Sequence, residues 1–103
     1  MTDNRILSIN LISTNPAVRG GRPCIVGTGL RVTDLIFAHL AHQRTADELA
    51  SDYALPISRV YAAFAYYYEY KADLDADMRE QMRIAHEAKE KQLGSNNAPL
   101  LPR

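Results

Sequence analysis

The residues whose types and spacing could do chemistry in this chain gather between Gly20 and Asp34. Gly-Gly-Arg-Pro-Cys-Ile-Val-Gly-Thr-Gly-Leu-Arg-Val-Thr-Asp holds four of the five glycines, two arginines and the single cysteine. A glycine-rich loop that opens a helix can wrap backbone N–H groups around a phosphate. The spacing opposes that use here. There is no G-x-x-x-x-G-K-[ST], and Gly27-Thr28-Gly29 does not continue as G-x-G-x-x-G because Val32 stands where the third glycine would be. Arg22 and Arg31 remain as side-chain cations for phosphate. The plainer alternative is a connecting hairpin, a signal that recurs in unrelated folds.

Other chemistry finds less support. Cys24 lies between Pro23 and Ile25 in a strand-like run, where a free thiol acts as a small buried hydrophobe rather than a nucleophile. His39 and His42 are three apart and share a helix face, but no further ligands stand at metal-site spacing. No nucleophile, base and acid recur in a meaningful pattern, and the scattered carboxylates fit caps and solvated faces. The expectation is a protein without catalysis, metal or cofactor.

Size and charge narrow the field. The chain has 103 residues and zero net charge, enough for one small domain with a modest core and no whole-chain signal for a polyanion or membrane partner. Residues 1–33 carry four arginines against Asp3, whereas 34–70 carry Arg44 and Arg59 against Asp34, Asp47, Glu48, Asp52 and Glu69. One cysteine cannot form an internal disulfide, and no stretch has signal-peptide or membrane-span character. A reducing cytoplasm is the expected compartment.

The elements that must position these groups follow from periodicity. Leu7, Ile9 and Leu11 alternate with Ser8 and Asn10, which predicts a half-buried strand over residues 5–13, closed by Thr14-Asn15-Pro16. Cys24–Val26 and Leu30–Val32 predict two more strands around a reversal at Gly27-Thr28-Gly29 that needs positive φ, and Thr33-Asp34 predicts a helix cap. Such a sheet is too small to stand alone and needs a helix or a second copy of the chain.

Leu35, Ile36, His39 and Leu40 then give a helical stripe that fades near Gln43-Arg44. Thr45-Ala-Asp-Glu48 is a capping box for a short helix ending at Tyr53-Ala54-Leu55. Pro56 opens a last helix with Val60, Ala63, Phe64 and Tyr67 on one buried face.

Two joined helices preceded by a third match the helix-turn-helix arrangement, which would set Ile57, Ser58, Arg59, Tyr61 and Ala62 at the exposed start of the reading helix. A plain three-helix core with a solvated face is the alternative, and the acidic balance of 34–70 speaks for it. Tyr66, Tyr67, Tyr68 and Tyr70 fit a core edge or dimer contact. Leu74, Met78, Met82 and Ala85 recur at helical spacing up to a stop at Gly94, an amphipathic helix suited to a partner. The resulting divisions are 1–70, 71–94 and a disordered tail over 95–103.

Ile12-Ser13, Pro16, Val18, Gly20-Gly21-Arg22-Pro23, Ile25, Gly27-Thr28, Leu30, Val32 and Asp34 resemble the amino-terminal signature of the "domain of unknown function 433" family. Thr45, Leu49, Asp52, Tyr53, Leu55, Val60, Ala62-Ala63 and Ala65-Tyr66 resemble its second block. Members of that family are similar to homeodomain-like helix-turn-helix proteins and are regarded as antitoxins, often encoded beside a PIN-like ribonuclease.

The resemblance implies a mainly α fold: a homeodomain-like three-helix unit over Asp34–Tyr70, short N-terminal β-strands serving dimerisation or an accessory role, and a C-terminal helical extension. It also implies a protein that reads operator DNA and neutralises a toxin, while the open edges of the small sheet and the tyrosine-rich helix end point to a homodimer. Arg59 and Ser58 would approach DNA, Arg19, Arg22, Arg31 and Arg44 would be available to phosphates, and Leu74, Met78, Met82 and Ala85 would face the toxin. This chain departs from the family in having Gly29 where arginine is usual, and Pro56 and Arg59 where a hydroxyl and an acid are preferred. An interaction adaptor that uses the same fold without touching DNA is the competing expectation, because fold does not fix function.

Overall fold

The computed structural model describes residues 3–100, with side chains as far as residue 92. The chain divides into two compact units, Met1–Lys71 and Ala72–Arg103. The first holds β1 (Ile12–Ser13), a single 3₁₀ turn (Arg19–Gly21), β2 (Cys24–Ile25), α1 (Val32–His42), α2 (Ala46–Asp52) and α3 (Ile57–Glu69). The second holds α4 from Ala72 on; that helix spans Lys71–Leu100 and so extends beyond Gly94. The tail expected over 95–103 falls on positions whose side chains, and for 101–103 the whole residues, lie outside those described.

The amino-terminal strand is far shorter than its alternation predicts. β1 and β2 pair antiparallel, Ile12 opposite Ile25 and Ser13 opposite Cys24, and one further bond runs from the Val26 amide to the Leu11 carbonyl at 2.9 Å. Residues 5–11 form no strand. A strand needs a ladder, and β2 is too short to offer rungs beyond these. Ile6, Leu7 and Ile9 are consequently 95%, 89% and 80% exposed, so this stretch is not half-buried in the single chain.

The second hairpin is also reduced. Opposite Cys24 stands only a bridge at Arg31, helped by the Ile25 amide bonding to the Leu30 carbonyl and the Val32 amide to the Pro23 carbonyl, both 2.9 Å. Val32 already belongs to α1, because Arg31 rather than Thr33-Asp34 is the cap. The Asp34 carboxylate reaches back to accept the Arg31 amide at 2.9 Å. That leaves Thr33 inside the first turn, buried, its hydroxyl without a partner.

Positive φ is needed at one of the two hairpin glycines. Gly27 sits at +75° in a turn closed by the Thr28 amide and the Ile25 carbonyl at 3.0 Å, whereas Gly29 lies outside the left-handed region. A Cβ on Gly27 would meet nothing within 4 Å, so Gly27→Ala should cost about 1–2 kcal/mol through the backbone alone. At Gly29 the nearest atom to an added Cβ is Val18 Cγ1 at 4.0 Å, and Gly29→Ala should be neutral or stabilise by up to about 1 kcal/mol through the unfolded chain. Urea denaturation of the two variants checks this; equal losses at both positions would refute it.

The helices follow their local signals closely. Gln43 closes α1 in the left-handed conformation at φ 53°. Thr45 and Glu48 form the expected box, with the Glu48 amide bonding to the Thr45 hydroxyl at 3.1 Å and the Thr45 amide to the Glu48 carboxylate at 3.0 Å. α2 ends in a Schellman motif, the Leu55 amide on the Ala50 carbonyl and the Ala54 amide on the Ser51 carbonyl, with Ala54 at φ 54°. Pro56 is the residue before α3, where its fixed φ and missing N–H cost nothing.

The core is where α3 packs against α1 and α2. Val60, Ala63 and Tyr67 recur on one face of α3 and are buried with Leu35 and Ile36 of α1 and Leu49 of α2, while Cys24, Ile25 and Val32 carry the core into the hairpin. Leu40, expected in the α1 stripe, is instead 50% exposed. His39 closes the edge of the core: its ring lies 4.6 Å from that of Phe64, and its Nδ1 is 2.7 Å from the Arg44 carbonyl.

Candidate functional site

Three short helices with α2, a four-residue turn and α3 in succession leave one face of α3 free of the core. Because Val60, Ala63 and Tyr67 point inward, Ile57, Ser58, Tyr61 and Tyr68 point outward and are exposed. Arg59 and Ala62 flank that face and are half-buried. The Arg59 Nε is buried without a hydrogen-bond partner. A buried donor left unpaired costs about 1–3 kcal/mol, more when charged, and because this Nε is closed off from solvent, only the rest of the guanidinium is left to meet an external acceptor.

The other arginines expected at phosphates have partners within the protein. Arg44 forks onto Asp52, its Nε at 3.0 Å and its Nη2 at 2.8 Å from the carboxylate oxygens, and lies 3.4 Å from Glu48. These contacts raise the pKa of Arg44, through the hydrogen bond to Asp52 first. The Glu48 carboxyl is held below its ordinary range, chiefly by the Thr45 amide and then by Arg44. Arg31 places Nη2 2.7 Å and Nε 3.1 Å from Asp34. Arg19 donates to the Gly29 carbonyl at 3.1 Å and stands 3.9 Å from Asp34, and Arg22 reaches the Arg19 carbonyl at 3.4 Å.

Arg19 and Arg31 therefore fasten the glycine-rich hairpin to the start of α1, and Arg22 bonds within the turn that precedes it. Their role in the folded chain is local. Sequence spacing carried the signal for these pairings, Arg31 with Asp34 three apart and Arg44 with Glu48 and Asp52 four and eight apart, but not which carboxylate each cation would choose.

The glycine-rich stretch borders an open hollow of about 340 Å³ lined by Ser13, Asn15, Val18, Cys24 and the Gly27–Gly29 turn. Those lining groups carry no charge. Burial pushes the Cys24 thiol up from its ordinary pKa, which lowers its nucleophilicity. Among the described residues no three His, Cys, Asp or Glu side chains stand together as a metal site would need. None of their helices is long and apolar enough to cross a membrane.

The family model described as "Protein of unknown function (DUF433)" matches residues 12–67. The chain belongs to that family. The matched stretch begins at β1 and ends within α3, so it takes in the hairpin, the arginine clasps and the three-helix core, and leaves outside both the segment before Ile12 and α4. No curated protein and no solved structure matches the chain. Along α4 the expected partner stripe is graded: Leu74 is buried, Met78 half-buried, and Met82 and Ala85 are exposed. An Arg83 clasp to Glu80 and Glu87, both at 2.6 Å, lies on the same helix.

Proposed function

We propose that this chain is a cytoplasmic, non-catalytic helix-turn-helix protein of antitoxin type, which reads operator DNA with α3 and neutralises a PIN-like ribonuclease through α4. The observation that carries the DNA limb is Arg59. Its guanidinium stands near the start of α3 with a buried, unpartnered Nε, beside the exposed Ser58 and Tyr61. The terminal nitrogens of such a planar fork suit a phosphate oxygen or a guanine edge. The toxin limb draws on the exposed Met82 and Ala85 and on what the family resemblance implies.

Protein–protein adaptation on the same fold is the second reading, favoured by one specific observation. Arg44 is occupied by Asp52 and Glu48, and Arg31 by Asp34, which leaves few cations for the phosphates that supply most non-specific affinity. An electrophoretic shift with DNA from upstream of the gene separates the two. Wild-type protein should shift it at low salt, and Arg59→Ala should weaken binding about 10–100-fold, as expected for loss of a bidentate contact. An unchanged affinity in Arg59→Ala would remove Arg59 from the interface, and no shift with the wild type would favour the adaptor.

A further inference from the structure

We infer that residues 5–13 form an antiparallel strand with the same residues of a second copy, about a two-fold axis at Ile9. The stretch reads Arg-Ile-Leu-Ser-Ile-Asn-Leu-Ile-Ser, a palindrome in polarity centred on Ile9. Paired antiparallel about that residue, Ile9 faces Ile9, Leu7 faces Leu11, Ile6 faces Ile12, Ser8 faces Asn10 and Arg5 faces Ser13. Every apolar side chain meets an apolar one and every polar side chain a polar one. Centring on Ser8 would set Arg5 against Leu11 and Ile6 against Asn10, and centring on Asn10 would set Leu7 against Ser13 and Ser8 against Ile12. The register is thus specified by the residues themselves, as cross-strand pairing requires.

The fold leaves this strand waiting for such a partner. β1 pairs on one edge with β2, and its other edge has no strand beside it among the described residues. Residues 5–10 take part in no hydrogen bond to another element among those residues. Ile6, Leu7 and Ile9 stand 95%, 89% and 80% exposed, which is unusual for three large apolar side chains within four positions. Beside them runs a groove of about 400 Å³ whose walls include Ile9, Ile12, Ala62, Ala65 and Tyr66. In the Ile9-centred register Ile6 of the second copy arrives opposite Ile12, at the rim of that groove.

The product is one continuous sheet, β2 and the 5–13 strand of each copy, with about 30 Å of new pairing edge. An isologous contact of this kind closes on itself and removes both open edges at once. The family model begins at Ile12, so most of the pairing strand lies outside the matched stretch. The interface stands independently of what α3 binds.

Crosslinking and sedimentation of the full chain test it. Cys24 is 4% exposed, so a second cysteine can be read on its own. Under mild oxidant Ile9→Cys should give a covalent dimer in high yield, because directly opposed Cβ atoms stand within disulfide reach, whereas Ser8→Cys should give little. Ile9→Arg should raise the dimer dissociation constant about 100-fold or more by opposing two guanidiniums on the axis. Its helical circular dichroism should stay that of the wild type, since Ile9 is 80% exposed and outside the core. A wild type that sediments as a monomer at high concentration would overturn the inference and leave the strand to a different protein. A dimer untouched by Ile9→Arg, or equal crosslinking at positions 8 and 9, would overturn it in favour of another surface or register.

Discussion

Leu49→Ala should lower the unfolding free energy by about 2–5 kcal/mol, the range for emptying a fully buried leucine site. Leu49 is 0% exposed and is the one fully buried residue of α2. A seven-residue helix has no stability of its own in water and persists by what it buries. The Thr45–Glu48 box fixes where α2 begins, but Leu49 fixes it to the core. Measured against the about 5–15 kcal/mol that holds a typical domain, the loss is large, and it falls on the short helix that links α1 to α3.

Equilibrium urea denaturation reads the effect as a lower midpoint. If α2 detaches before the rest unfolds, the slope of the transition falls as well, because less surface remains to be exposed. Leu40→Ala is the control: Leu40 is 50% exposed, and its truncation should stay within about 0.5 kcal/mol. A loss below 1 kcal/mol at Leu49 would mean that α2 is held by something other than this side chain.

Asp34→Ala should cost about 1–3 kcal/mol, the penalty for leaving partly buried donors without their acceptor. One carboxylate serves three groups: the Arg31 amide at 2.9 Å, the Arg31 guanidinium at 2.7 Å and, more distantly, Arg19 at 3.9 Å. The Arg31 and Asp34 side chains are only 20% and 23% exposed, so water replaces the lost contacts incompletely. Asp34→Asn keeps an oxygen for the Arg31 amide and should retain part of the stability, which separates the cap from the ion pair. Thermal unfolding of the two variants measures both. If Asp34→Ala and Asp34→Asn lose the same amount, the amide bond contributes nothing and the clasp is electrostatic alone.

Where the predicted helices and the observed ones agree, their signals are short-range. Thr45 and Glu48 are three residues apart, Gln43 ends a stripe at the next position, and Val60, Ala63 and Tyr67 need only the helical period to share a face. These features form between neighbours along one turn, so the order of residues alone determines them. The turn at Gly27 is of the same kind. What the period could not supply was the length of the first strand, since a strand exists only with a partner. The alternation of Leu7, Ile9 and Leu11 is genuine, but β2 has two residues to offer it.

The arginines divide along the same line. Their positions are written in the chain, and their partners are decided by geometry: Asp52 rather than solvent takes Arg44 because α2 brings it alongside, and Asp34 takes Arg31 because the hairpin turns into α1 there. Arg59 is left with a buried Nε because α3 packs its flank against the core and brings no acceptor. The sequence by itself determined the helical unit, the capping box of α2, the turn at Gly27 and the family. Only the tertiary structure decided which cations are spent on the fold and which strand edge stays open, because a charge finds its partner, and a strand its ladder, through contacts between segments distant along the chain.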